Sequence, residues 1–245
     1  MNTKIYPFVC KKLEEAFKLP RYSNIHGKIN ASTHVDQLPW TPARLAKFEQ
    51  ELSETFDFPV QASGTVVDLV NSIDQRYMMR FFSEIWKPQT EHYQWSGWNL
   101  VDEINARDPK SVLDVGCGYH PFKGRIRNIV GIDPYNHNAD YMVDILEYRV
   151  KPHSHDHIIA LGSINFNSYD DIQLRLRHCV DLLAPGGRMY FRVNPGITHV
   201  NGPWIDIFPW NFEIVNNFCE DYTLTLETFK KDSNQRLFFI CSKPE

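Results

Sequence analysis

The sequence lacks the features that mark several large classes of protein. None of its 245 residues lies in an apolar run near the roughly 20 residues that span a bilayer. Positive charge is not in excess, because the formal net charge is -4 and the pI about 6.2, which argues against binding along a nucleic-acid backbone. No C-x-x-C pair occurs among the five cysteines, which are Cys10, Cys117, Cys179, Cys219 and Cys241. Their scatter indicates neither a zinc ribbon nor a disulfide framework.

Residues 1–12 also lack the apolar run of a secretory signal, and the chain contains no internal repeat or low-complexity tract. These absences favour a cytoplasmic protein with reduced cysteines, and we expect no membrane and no nucleic acid among its partners. What remains is the composition of an ordinary globular protein, with 42% hydrophobic and 23% charged residues.

The spacing of apolar residues changes near residue 110, which divides the chain into two unequal parts. We expect a helical domain over residues 1–80 and an α/β domain over residues 81–245. The periodicity predicts helices over 5–17, 42–56 and 65–73, with Thr41 and Pro42 marking the start of the second.

Short β-rich segments alternate with helical stretches in the second part, which indicates a mostly parallel sheet. A helix is predicted over 169–183, capped by Ser168, and residues 185–187 (Pro-Gly-Gly) are expected to end it and turn the chain. The expected strands cover residues 111–115, 129–133, 158–161, 188–193, 222–228 and 237–241.

The first of these strands runs into Gly116-Cys117-Gly118, where two glycines allow a sharp turn beside a ligand. In a doubly wound fold this turn lies at the carboxyl ends of the strands, where ligands bind. Asp133 ends the second strand and could accept hydrogen bonds from a ribose diol, or it could simply begin a turn before Pro134. Pro121 stands where a dinucleotide-binding loop has its third glycine, so a nicotinamide-dependent oxidoreductase is disfavoured.

Residues 112–118 (Val-Leu-Asp-Val-Gly-Cys-Gly) resemble the first motif of class I, Rossmann-like methyltransferases that use S-adenosylmethionine. Asp133 matches the acid that binds ribose in this family, and residues 141–145 resemble the segment whose acid meets the adenine amino group. Residues 156–162 resemble the fourth strand, and residues 182–190 the helix, turn and fifth strand that follow it.

The resemblance implies a doubly wound, seven-stranded, mostly parallel sheet whose last strand, 237–241, is antiparallel. In such enzymes the methyl group is already activated by positive sulfur, so alignment can carry the catalysis and no catalytic residue is assigned. The implied cofactor residues are Asp114, Gly116, Cys117 and Gly118 for the methionine part, Asp133 with Pro134 for the ribose, Asp144 with Ile145 for the adenine, and Leu161 with Gly162 beneath the sulfonium.

Two other groups of residues leave alternatives open. His153, His155 and His157 alternate as metal ligands on a strand could, but they begin the fourth strand and we expect them at the edge of a polar loop, with no metal site. Aromatic and polar side chains between 92 and 98 could close over the cofactor, or could pack a helix over 96–106 onto the sheet. Asn194-Pro195 resembles a motif of amino-methylating DNA enzymes, but follows the fifth strand instead of the fourth.

Residues 5–73 resemble an acyl carrier protein, most closely over 47–60. The family attaches phosphopantetheine to the serine of an Asp-Ser-Leu motif, and Thr41-Pro42-Ala43 occurs there instead, so this domain could not be loaded. A docking or substrate-covering role is the hypothesis, and a helical cap that arose by convergence is the alternative.

We therefore expect methyl transfer from S-adenosylmethionine to a small-molecule or carrier-presented acceptor. The alternative is a non-catalytic scaffold or cofactor-binding protein that meets a protein partner through its carrier-like N-terminal domain.

Overall fold

The computed structural model describes residues 1–25 and 27–245, which form an α/β protein. Its α-helices are α1 (Ile5–Ala16), α2 (Pro42–Phe56), α3 (Val66–Arg80), α4 (Asn99–Asn105), α5 (Tyr169–Leu182) and α6 (Phe212–Asp221). Its strands are β1 (Val112–Val115), β2 (Ile129–Ile132), β3 (His155–Leu161), β4 (Leu183–Val193), β5 (Thr225–Lys231) and β6 (Leu237–Ser242). Short 3-10 turns occupy Pro20–Tyr22 and Thr90–His92, and a π-helical turn occupies Phe81–Ile85.

The strands form one mixed sheet in the order β2-β1-β3-β4-β6-β5. The first four are parallel, whereas β6 is antiparallel to both of its neighbours, β4 and β5. The expectation of seven strands is not confirmed, because the described residues form six. Tyr141, in the segment beside β2, contributes only a single parallel bridge to Ile132 before the chain turns away.

The chain divides into two compact units by its contacts, and the first combines residues distant in sequence. It contains Met1–Phe81 together with His199–Asp206. The Asn2 side chain donates to Asp74 Oδ1 at 2.8 Å and to the Trp204 carbonyl at 2.9 Å. The separate N-terminal all-α domain is therefore not confirmed, since residues 199–206 are part of the same packed unit.

Local signals explain the helices of this first unit. Thr41 caps α2 by accepting from the Arg44 N–H, and α2 has the bounds expected from the sequence. Thr65 and Asp68 form a capping box at α3, a reciprocal pair that satisfies two backbone donors. This helix extends past the expected end at residue 73, because its apolar face continues to the buried side chain of Met78.

The second unit contains Phe82–Thr198 with Ile207–Glu245, and helices cover both faces of its sheet. Residues from α5 and α6 pack on one face, and residues from α4 on the other. The helix α6 is not among the elements expected from the sequence, although Asn211 caps it and Val215, Phe218 and Cys219 bury one side of it. Among the described residues, no helix is long and apolar enough to cross a membrane.

The expected turn at residues 185–187 is replaced by an irregular part of β4. The helix α5 ends at Leu182 and β4 begins at Leu183, which pairs with His155 before a register shift. Gly187 packs closely in this irregular stretch, because an added Cβ would lie 2.8 Å from the Ala184 carbonyl oxygen. The proline and glycines therefore shape a bulge within the strand.

Candidate functional site

The turn after β1 is tied closely to the neighbouring strand β2. Gly116 and Cys117 both donate their N–H groups to the Ile132 carbonyl, at 2.8 and 3.0 Å. Gly116 has a φ of 68°, and a Cβ there would lie 2.2 Å from the Cβ of Ser163. Glycine is required at this position because the backbone bends left-handed and the exit from β3 passes against it.

The acid that ends β2 reaches the same turn. Asp133 accepts from the Gly118 N–H at 2.9 Å through Oδ2 and from the Tyr135 N–H at 2.8 Å through Oδ1. Burial raises the pKa of Asp133, while backbone hydrogen bonds oppose that rise. Pro134, which follows, is half-buried. The turn and the acid thus lie together, and part of the carboxylate is already occupied by backbone donors.

Asp114 supplies a second buried carboxyl group at this edge of the sheet. Its side chain is buried, and its Oδ2 atom has no hydrogen-bond partner. Burial, reinforced by the charge of Asp133, raises the pKa of Asp114 to about 8. An unpaired acceptor in a buried position is costly, so this atom is suited to a donor from a bound ligand.

The end of β3 completes this group of residues. Gly162 follows Leu161 with a φ of 116°, and a Cβ there would have only the Asn165 side chain within 4 Å, at 3.9 Å. Leu161 pairs with Arg192 of β4. The adjoining Ser163 donates its hydroxyl to the Val115 carbonyl, which fixes the exit of β3 beside the glycine turn.

Asp144 and Ile145 contact α5 and the apolar core of the sheet. Asp144 accepts from Arg175 of α5 at 3.1 Å and from the Leu146 N–H at 2.9 Å. Ile145 is buried in the apolar core that also contains Leu176. These contacts give both residues a structural role, and the adenine contact that the resemblance implies stays a prediction.

An aromatic cluster that was not expected from the sequence lies at the same edge of the sheet. It consists of Phe82, Trp86, Tyr135 and Phe166, and Phe82 lies 5.8, 6.0 and 5.1 Å from the other three ring centres. A Cβ added to Gly118 would lie 3.6 Å from the Trp86 ring. The aromatic spacing between residues 82 and 86 was the available signal, but the rings at 135 and 166 join it only through the fold.

A second network fixes the end of β2. Asp140 Oδ2 accepts from the Gly131 N–H at 2.9 Å and contacts His120 Nε2 at 2.9 Å, and Lys123 pairs with the other oxygen. Burial opposes ionisation, but these partners prevail and lower the pKa of Asp140 to about 2. A Cβ on Gly131 would lie 2.7 Å from the His120 ring. His120 is therefore engaged in holding the strand.

The aromatic residues before β1 pack mainly against the protein. Trp98 lies 5.6 Å from Phe122, measured between ring centres. The Tyr93 ring lies 4.0 Å from the Arg192 guanidinium, and the Trp95 ring lies 4.3 Å from Lys230 Nζ. Of the two alternatives, these contacts favour packing onto the sheet.

His155 and His157 lie within β3 and are buried, so the expectation of a polar loop edge is wrong for both. Burial lowers the pKa of His157 to about 4 despite the nearby charge of Asp156. In residues 1–25 and 27–245, no group of three or more His, Cys, Asp or Glu side chains is placed to hold a metal ion.

Comparison with known proteins identifies the fold. No protein-family model matches the chain, and no curated protein matches it. A solved structure of Burkholderia thailandensis 1,6-didemethyltoxoflavin-N1-methyltransferase, with bound 1,6-didemethyltoxoflavin and S-adenosylhomocysteine, matches with a TM-score of 0.54 at 11% identity. The match covers 73% of this chain and 90% of that chain. The chain shares the α/β fold of that methyltransferase.

Two further solved structures match with lower TM-scores. An O-methyltransferase family protein from Burkholderia thailandensis gives 0.47 at 13% identity, covering 73% of this chain and 60% of that one. The N-methyltransferase NodS from Bradyrhizobium japonicum gives 0.46 at 16% identity, covering 60% and 85%. No comparison supports the resemblance of residues 5–73 to an acyl carrier protein.

Proposed function

We propose that this chain is an S-adenosylmethionine-dependent methyltransferase that acts on a small-molecule acceptor. The observation that carries the proposal is the grouping of the Gly116–Gly118 turn with two buried acids, Asp114 and Asp133, at the carboxyl ends of β1 and β2. Ligands of open α/β sheets bind at this edge. The fold shared with a methyltransferase that was crystallised with S-adenosylhomocysteine supports the same conclusion.

The residues at this edge suit the parts of the cofactor differently. The unpaired Oδ2 of Asp114 would accept a hydrogen bond from the amino group of the methionine part, beside the backbone of Gly116, Cys117 and Gly118. Asp133, with Pro134 after it, would bind the ribose. Each carboxylate oxygen of Asp133 accepts one backbone N–H and can accept a further hydrogen bond from a ribose hydroxyl. Leu161 and the open side of Gly162 would lie beneath the sulfonium.

Asp144 and Ile145 fit the adenine less well, because one is paired with Arg175 and the other is buried in the core. The aromatic cluster near Gly118 offers a stacking surface for a flat base in their place. We therefore assign the adenine to this cluster.

When bound, S-adenosylmethionine would supply a methyl group on positively charged sulfur. The chain would contribute binding and alignment, which can account for much of such a reaction without a dedicated acid or base. His120 is held by Asp140, and we assign no catalytic side chain.

Calorimetric titration with S-adenosylmethionine and S-adenosylhomocysteine tests this proposal. We expect both to bind the native chain, and Asp133→Ala to weaken each by about tenfold or more, because the ribose loses hydrogen bonds to a charged group. Asp170→Ala is the matched control, since Asp170 is exposed on α5 and should bind both ligands like the native chain. Thermal unfolding of each variant would verify that it is folded.

Three results would contradict the proposal in different ways. Failure of the native chain to bind either ligand would remove the cofactor assignment. Preference for a nicotinamide nucleotide would favour an oxidoreductase. Binding of S-adenosylmethionine with no methyl transfer to any acceptor in a broad small-molecule screen would favour the non-catalytic alternative.

A further inference from the structure

A basic cluster lies on one face of the sheet where β4 and β5 end. It consists of Arg192, Lys230 and Arg236, and the carboxylate of Asp232 pairs with Arg192. Arg192 and Lys230 both pair with Phe238 of β6, so the side chains of Arg192, Phe238 and Lys230 lie on the same face of the sheet. Two hydrogen bonds close the β5–β6 turn. The Asp232 N–H donates to the Arg236 carbonyl at 2.8 Å, and the Arg236 N–H donates to Asp232 Oδ1 at 2.8 Å.

The single carboxylate does not satisfy the positive charge of this cluster. Asp232 Oδ2 accepts from Arg192 Nε at 3.0 Å and from Arg192 NH2 at 2.9 Å, while Oδ1 accepts from the Arg236 N–H. Arg236 NH1 is buried and has no hydrogen-bond partner. Lys230 lies over the Trp95 ring, which is not an anion.

The charges around Arg236 also indicate an excess of positive charge. Burial, together with the charge of Arg192, lowers the pKa of Arg236, and Asp232 only partly offsets that effect. The charge of Glu91 acts on the neighbouring Tyr93, but the Glu91 side chain is exposed and lies near His92. A buried, unpaired guanidinium donor is costly, and an anionic oxygen is the partner that satisfies it best.

The cluster adjoins the proposed site of methyl transfer. Arg192 pairs in register with Leu161, the residue that we assign beneath the sulfonium, and paired residues of adjacent strands lie about 5 Å apart. The Tyr93 ring packs on the Arg192 guanidinium and helps to fix its orientation. A small acceptor that reaches the methyl group would therefore pass close to this cluster.

We propose that Arg236, aided by Arg192 and Lys230, binds a carboxylate or phosphate group of the methyl acceptor. This inference rests on the proposed function, and it names the substrate class as an anionic small molecule. Arginine suits the role because its planar donors match the oxygens of either group.

Titration of the full chain with inorganic phosphate, benzoate and uncharged benzamide, with and without S-adenosylhomocysteine, tests this inference. We expect phosphate or benzoate to bind the native chain and benzamide not to bind. Arg236→Gln should weaken the anion by about tenfold, as expected for a lost charge-assisted hydrogen bond, and Arg236→Lys should weaken it less. Lys231→Gln is the matched control, because it removes the same charge from the next strand position, whose side chain is exposed and pairs with Leu237 on the other face.

The outcomes separate this inference from the proposed function. Absence of binding by both anions, equal binding of benzamide and benzoate, or equal losses in Arg236→Gln and Lys231→Gln would each overturn the anion site. Any of these results together with tight binding of S-adenosylhomocysteine would leave the methyltransferase proposal standing. Anion binding that depends on Arg236 in a chain that does not bind S-adenosylhomocysteine would support the site and reject the proposed function.

Discussion

The most informative single residue is Asp114, a carboxyl group that the fold buries beside a second acid. Its pKa of about 8 arises from burial first and from the charge of Asp133 second. Because an unfolded aspartate titrates near 4, the folded chain holds more protons than the unfolded chain between about pH 4 and 8. The contribution of this residue to stability therefore falls as pH rises through that interval.

Asp114→Asn should remove this dependence. We expect the unfolding free energy of the variant, relative to that of the native chain, to increase by roughly 1 kcal/mol per pH unit between pH 5 and 8. Urea denaturation at several pH values would measure this difference. The variant should also bind S-adenosylmethionine more weakly, so stability and binding would change in opposite directions. Parallel pH profiles for the two proteins would show that Asp114 is ionised in the folded chain at neutral pH.

At the scale of the element, β2 is short and depends on contacts beyond its own ladder. Asp140 binds the Gly131 N–H and the buried His120 ring together, and so fixes the end from which Asp133 projects. The low pKa of Asp140 means that this support is present at neutral pH and is lost as pH falls from about 4 to 2.

Asp140→Ala should destabilise the chain by about 2 kcal/mol, because it leaves a backbone donor and a buried imidazole without their acceptor. Urea denaturation at neutral pH would measure the change. Asp221→Ala, at the exposed end of α6, is the control and should cost little. A similar small loss in both variants would mean that water replaces Asp140 without penalty.

The helices and strands were the most predictable level of structure. The bounds of α2 agree with those expected because Thr41, Pro42 and a regular apolar stripe mark them locally. The seven strands that the resemblance implies are not confirmed, because strand pairing depends on backbone partners elsewhere in the chain. Beside β2, Tyr141 makes only one bridge, to Ile132. The helix α6 is not among the expected elements despite its Asn211 cap.

At the scale of the whole molecule, the first compact unit is not a continuous stretch of chain. Trp204, far along the sequence, packs in it against Phe8 and Phe56, with ring centres 5.0 and 5.2 Å away. Residues 1–81 therefore lack part of their own core when considered alone.

Trp204→Ala should loosen the helices of this unit. We expect a loss of about 2 to 3 kcal/mol, in the range for removing a large aromatic side chain that is partly buried, and faster amide hydrogen exchange in α1, α2 and α3. Trp95→Ala removes a tryptophan from the other unit and should leave exchange in these helices unchanged. Equal exchange in the native chain and Trp204→Ala would show that residues 199–206 do not stabilise the unit.

The candidate site depends both on short sequence motifs and on contacts that only the fold creates. The Gly116–Gly118 turn, Asp114 and Asp133 were expected from short motifs, and the structure brings them together through the parallel pairing of β1 and β2. Asp144 and Ile145 also matched a motif, but Arg175 and the core determine their surroundings. A motif specifies residue types along the chain, but it does not specify which distant side chains contact those residues in the folded protein.

The sequence by itself determined the alternation of helices and strands, the helix caps, the glycine turn and the acid that ends β2. These features depend on residues within a few positions of one another, so periodicity and capping express them directly. Only the tertiary structure decided the aromatic cluster, the unpaired donor of Arg236 and the place of residues 199–206. Each of these features brings together residues that lie tens of positions apart in the sequence. Their chemical properties depend on burial and on pairing across the chain, and no local pattern encodes either.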